Sequence, residues 1–176
     1  MCLLFSTVAA NAAVQTFTAP VEDDWYGLNG WSQGGFTFSG PWTNYGRDSR
    51  NAPFMELYDQ AHSITYNGTF TFNSMSLGGW PWDNYGNSGG TVSFDFLDIN
   101  GAVIDSGSLT LPGDNAFYAY SDTVEGVHSI AFNSYGFWPR LDSINYNGSE
   151  SVPEPASMLL LSLGLVGLVG FRKKIK

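Results

Sequence analysis

The chain has 176 residues, 16 acidic against 7 basic side chains, a formal net charge of −9 and an aromatic content of 16%. Its basic residues crowd the last five positions. Between Ala13 and Ser151 only Arg47, Arg50 and Arg140 stand against fifteen carboxylates, a net charge of about −12 that repels nucleic acid and anionic headgroups and leaves neutral sugars and divalent cations as partners. With Cys2 as the only cysteine, neither a disulfide framework nor thiolate chemistry is available to the chain that follows it.

Met1 to Ala13 is an apolar stretch in which Ala10-Asn11-Ala12 has the small-x-small pattern that signal peptidase reads. Residues 1–12 are therefore predicted to be a signal peptide, cleaved after Ala12. No Lys or Arg precedes Arg47, and a leader of this kind needs a basic start, so its true beginning is expected upstream of Met1. Residues 13–151 then have the length of one domain.

In that region apolar and polar residues alternate. Phe36 and Phe38 flank Thr37, Phe70 and Phe72 flank Thr71, Val92, Phe94 and Phe96 enclose Ser93 and Asp95, and Ile130 and Phe132 flank Ala131. A period of two with one apolar face is the signature of half-buried antiparallel strands. Asn67-Gly68 and Asn100-Gly101 predict type I′ hairpins, the first joining residues 63–66 to 69–72 and the second joining 91–98 to 102–105. Further strands are expected at 108–111, 117–121, 127–133 and 141–147. Eight or more short strands with Gly-rich connections predict an all-β fold, a β-sandwich of jelly-roll type. The closing pattern, Val127 to Phe132 followed by Arg140-Leu141-Asp142-Ser143-Ile144, resembles the last strands of galactose-binding-like jelly rolls.

The six tryptophans lie beside Gly, Pro, Asn and Asp, outside these runs. Pro41-Trp42-Thr43-Asn44-Tyr45-Gly46 returns as Pro81-Trp82-Asp83-Asn84-Tyr85-Gly86. Proline stiffens such a loop, and an indole held there can stack on the apolar face of a pyranose while Asn accepts its hydroxyl hydrogens. Trp42, Asn44, Tyr45, Trp82, Asn84 and Tyr85 are thus candidate contacts for extracellular polysaccharide. The competing reading has the rings folded back to cap the open ends of the sandwich.

Glu22, Asp23 and Asp24 near the start of the domain and Asp142 near its end form a candidate Ca²⁺ site, since first and last strands often adjoin in jelly rolls and oxygen-rich sites select calcium. His62 and His128, the two histidines, both fall in strand-like runs. No Gly-x-Ser-x-Gly elbow, phosphate loop or His-Glu-x-x-His is present, so the chain is expected not to be an enzyme. A carboxylate pair converging across the sandwich, as in a secreted polysaccharide-degrading glycosidase or lyase, is the alternative. A purely structural, acidic matrix protein is another.

The tail reverses the composition. Val152-Pro153-Glu154-Pro155 precedes an uncharged run, residues 156–171, which as a helix would be about 24 Å long, just enough to span a bilayer with some thinning. Arg172, Lys173, Lys174 and Lys176 follow at once and predict a cytoplasmic anchor, with the acidic domain on the far side of the membrane. Pro on both sides of Glu154 keeps the junction extended and accessible. Motif, short Gly- and Leu-rich helix and basic end resemble the PEP-CTERM sorting signal, also called the ice-binding protein C-terminal domain, over 152–176. That resemblance implies a substrate of signal peptidase and exosortase in a Gram-negative cell, anchored in the inner membrane through its C-terminal helix before processing. It also implies later release to the cell surface or to an exopolysaccharide biofilm, and nothing about ice.

Overall fold

The structure, a computed structural model, describes residues 12–21, 27–44, 51–55, 61–79, 89–114, 116–134 and 138–148. Ten strands lie among them: β1 (Ala13–Thr16), β2 (Ser32–Gln33), β3 (Phe36–Ser39), β4 (Trp42–Thr43), β5 (Phe54–Met55), β6 (His62–Gly78), β7 (Gly90–Leu97), β8 (Val103–Leu111), β9 (Phe117–Ser134) and β10 (Arg140–Gly148). Every pairing is antiparallel. None of the described residues is helical, and they adopt the all-β class that their alternation dictates. The C-terminal segment expected to cross a membrane lies outside the described residues, as do both the expected signal peptide before Ala12 and the sorting motif.

Two long strands organise the sheet. β6 and β9 run for 17 and 18 residues, about three times a common strand, and each bends from one layer into the other. In the first layer the beginning of β6 pairs with β3 and with the end of β9, which continues to β7 and β8. In the second, the end of β6 pairs with β10 and with the beginning of β9. β1 and β5 share the outer edge of β10, and β4 hangs from β5.

The bend is set by mismatched register. Between Thr65 opposite Ser129 and Phe70 opposite Val127, β6 holds more residues than β9, and further along, from Phe70 to Ser74, β9 holds the surplus. Extra residues in one strand increase local twist and turn its direction. Asn67-Gly68 lies at the first of these irregularities, so the expected hairpin there is a bulge inside one continuous strand. The backbone N–H of Asn67 donates to Gly35 O at 2.8 Å, and the only non-glycine residue described with positive φ is Asn51. Without positive φ at the asparagine, a type I′ turn cannot form.

The second expected hairpin is present, with a different turn. Gly101 N–H donates to Asp98 O at 3.0 Å, Asp98 N–H to Ala102 O at 2.9 Å, and Gly101 has φ 80°. This is a type I turn closed by a left-handed glycine, the usual three-residue hairpin. Strands expected separately at 117–121 and 127–133 are likewise one strand, β9, because Gly126 takes φ 75° as a bulge without ending the ladder.

The two layers meet through rings. Phe72 of β6 lies 4.6 Å from Phe96 of β7, Phe94 of β7 lies 4.7 Å from Tyr120 of β9, and Phe36 of β3 lies 5.1 Å from Tyr146 of β10. Phe17, just after β1, stands edge-on to Phe38 at 5.1 Å. Tilted and edge-to-face pairs at these separations each add about 0.5–1.5 kcal/mol beyond burial. With no disulfide available, this aromatic filling is the principal source of cohesion.

Candidate functional site

Trp42 and Asn44, expected at a sugar-facing loop tip, are instead fully buried, each 0% exposed. Trp42 opens β4, and its ring stands edge-on to Phe38 at 4.9 Å, His62 at 5.6 Å and Phe132 at 5.8 Å. Its indole N–H donates to Ser39 O at 3.1 Å. The largest apolar surface in the segment is therefore buried at no cost in unmet polar groups, which favours burial over a wet loop tip. Asn44 donates from Nδ2 to Ala19 O at 2.7 Å and ties β4 to the chain that follows β1. Tyr45, Trp82, Asn84 and Tyr85 lie outside the described residues. Of the other tryptophans described, Trp31 is half-buried against Phe38 at 4.8 Å and Trp138 is half-buried.

Asp142 is 7% exposed, and one of its carboxylate oxygens accepts from Ser143 Oγ at 3.3 Å. The first and last strands do adjoin: Thr16 lies opposite Ser143, and Phe17 N–H donates to Asp142 O at 2.8 Å. Glu22, Asp23 and Asp24 lie outside the described residues. Among the described residues no group of three His, Cys, Asp or Glu side chains is placed to hold a metal. Asp98 serves its own hairpin. Its Oδ1 accepts the N–H of Asn100 and of Ala102, each at 2.8 Å, and these bonds, Ala102 foremost, hold its carboxyl below the usual carboxylate range.

Both histidines face backbone carbonyls. His62 Nε2 lies 3.2 Å from Pro41 O and His128 Nδ1 lies 2.6 Å from Gly68 O. A carbonyl only accepts, so each of these nitrogens carries the proton and is committed to a strand junction. Arg140, one of three bases between Ala13 and Ser151 and the first residue of the closing strand pattern, is fully buried. Its Nε–H donates to Gly79 O at 2.9 Å and its guanidinium lies 4.4 Å over the Phe117 ring. One of the domain's few positive charges thus belongs to the junction of β10 with β6 and β9.

A concavity lies on the outward side of the first layer, among the described residues. A shallow depression of about 430 Å³ is lined by Ser32, Gly35, Thr37, Thr65, Tyr66 and Asn67, a volume within the range of small-molecule sites. The turn between β2 and β3 forms one wall, with Gly34 and Gly35 at φ 59° and 83°. The edge of Tyr66 forms another, and a side chain at position 35 would press on its ring. Ser32 Oγ and Thr37 Oγ1 lie 2.8 Å apart across the paired strands. The site offers hydroxyl and amide groups beside an aromatic edge and no charge. Each of its polar residues is an outward member of an alternating run or a turn, a signal present in the sequence but overshadowed by the tryptophans.

No curated protein matches the chain. Among solved structures, similarity extends to a mutant of the lectin binding domain of Lectinolysin complexed with Lewis b, at 10% identity and a TM-score of 0.45, covering 74% of this chain and 100% of that one. It extends also to the apo form of BiXyn10A CBM1, at 12% identity and a TM-score of 0.42, covering 78% and 97%. Residues 151–174 match the PEP-CTERM protein-sorting motif. The end of the chain is therefore a PEP-CTERM sorting signal, and the protein that bears it is exported and sorted by an exosortase.

Proposed function

We propose that this is a non-enzymatic surface or matrix protein: a β-sandwich of jelly-roll type, delivered across the inner membrane, released near Pro153-Glu154-Pro155, and serving to contact extracellular polysaccharide. The observation that carries the proposal is the sorting motif over 151–174 on a domain with so few basic residues. Residues 156–171 act as the membrane helix, and Arg172, Lys173, Lys174 and Lys176 hold its end in the cytoplasm. A surface this acidic is repelled by anionic polymers, so the partner is a neutral polysaccharide. Within this proposal Trp82, Asn84 and Tyr85, with Tyr45 beside them, supply stacking and hydroxyl recognition. Trp42 and Asn44, being buried, have no part in it.

Affinity electrophoresis of the full chain in detergent, through gels containing dextran, galactomannan or xyloglucan, tests the contact. Retardation in at least one gel, lost in Trp82→Ala/Tyr85→Ala, is the expected result. Equal migration in all gels and in their absence contradicts polysaccharide contact. Reducing sugar released from any of these polymers would instead mark the protein as a glycosidase.

A further inference from the structure

The outward side of the first layer is a set of hydroxyl rows running across its strands. One row joins Ser32, Thr37, Thr65 and Ser129 from β2, β3, β6 and β9. The next joins Ser39, Ser63, Ala131, Asp95 and Ser106, reaching β7 and β8. A third joins Asn133, Ser93 and Ser108. Partners in register project to the same side of a sheet, about 4.8 Å apart across strands and about 6.7 Å apart along them. Ser32, Ser39, Asn133, Ser93, Ser106 and Ser108 are exposed, while the intervening positions are half-buried. Asp95 is the only ionisable side chain in the three rows, and its Oδ1 accepts from Ser106 Oγ at 2.6 Å.

From this we infer a second binding surface: the hydroxyl face of β2, β3, β6, β9, β7 and β8 docks a neutral, hydroxyl-rich polysaccharide chain, with the depression at Ser32, Thr37 and Thr65 seating one sugar ring. The inference rests on the polysaccharide reading above and names a site for it other than the aromatic loop. Each hydroxyl donates once, accepts twice and rotates to suit its partner, which matches a polymer whose own hydroxyls do both. A protein partner fits less well, because stable protein interfaces have an apolar centre, whereas the exposed apolar side chains Ile99, Val103 and Ile104 stand at the β7–β8 hairpin, at the margin of this face, where Leu97 and Val103 continue the first row beyond Ser129. An anionic polymer would meet the repulsion of the acidic domain. The depression gives the rows a concave end, where several polar groups converge on one ring beside the edge of Tyr66.

The test uses isosteric removal of hydroxyls. Thr37→Val/Thr65→Val keeps shape and strand preference while deleting two hydroxyls of the first row, and Ser74→Ala/Ser121→Ala makes the equivalent change on a row of the second layer, where these residues lie opposite each other. Both variants are checked for an unchanged thermal transition and run as full chains in the same polysaccharide gels, beside Trp82→Ala/Tyr85→Ala. The expected result is a dissociation constant raised about tenfold or more for the first-layer pair and unchanged for the second-layer pair. If the wild type is retarded and the first-layer pair migrates with it, the hydroxyl face is not the site and the loop reading stands alone. If the first-layer pair loses its thermal transition, Ser93→Ala/Ser108→Ala replaces it with the same expectation. A wild type retarded by no neutral polysaccharide overturns the inference together with the reading beneath it.

Discussion

Trp42 is the residue at which local chemistry and final position diverge most. A Pro-Trp pair beside Asn and Tyr has the composition of a recognition loop, and nothing in the hexapeptide says which way the ring turns. The decision lies outside the hexapeptide: Phe132, far along the chain, supplies an apolar wall, and Ser39, three residues back, supplies the carbonyl that satisfies the indole N–H. Trp42→Ala is expected to lower unfolding free energy by about 3–5 kcal/mol, the usual loss for a large buried ring, measured as a fall in the denaturant midpoint at unchanged slope. Trp42→Phe, if folded, should bind polysaccharide as the wild type does, because the ring does not reach the surface. Gly107 is a second position fixed by packing. A Cβ there would collide with the Phe94 ring and the Tyr120 hydroxyl, so Gly107→Ala should cost about 1–3 kcal/mol through forced repacking, read from thermal or denaturant unfolding.

Among the elements, the alternating runs were legible because a face buried on one side leaves its period in the sequence. Phe36, Phe38, Phe70, Phe72, Val92, Phe94, Phe96, Ile130 and Phe132 are all buried. Strand length was not legible. Asn67-Gly68 and Gly126 have turn composition, yet the chain continues through both, since β6 and β9 must pass from one layer to the other and a bulge turns a strand without ending it. The hairpin at Asn100-Gly101 was legible from its Asn-Gly pair, but its turn type was not, because that is set with Asp98, whose carboxylate gathers the N–H groups that the turn leaves unpaired. Those bonds lower the Asp98 pKa in the folded chain. Their contribution is therefore complete above the unfolded value near 3.8 and disappears as pH falls through the lower folded one. Amide exchange by NMR should show Asn100 and Ala102 protected at neutral pH and losing protection only below that value. Asp98→Ala should remove the protection at every pH while leaving the β6–β9 core intact.

For the whole molecule, the sorting signal was the most legible feature, because motif, apolar run and basic cluster act in linear order and need no fold to be recognised. The binding surface was the least legible. Ser and Thr between apolar residues read as ordinary solvent-facing positions until the register aligns them across six strands. Charge divides the chain: residues 13–151 lack lysine and hold three arginines, one of them the buried Arg140, while the other four of the seven basic residues, Arg172, Lys173, Lys174 and Lys176, lie in the tail. Replacing Arg172, Lys173, Lys174 and Lys176 with Glu is expected to abolish release of the mature domain, read as accumulation of the unprocessed chain on immunoblots.

The most direct measurement is the intact mass of the protein recovered outside the cell, compared with the cytosolic fraction. The account predicts an extracellular species that ends near Pro153-Glu154-Pro155 and lacks Arg172 to Lys176. A soluble cytosolic species with its complete tail, and none outside, would contradict it.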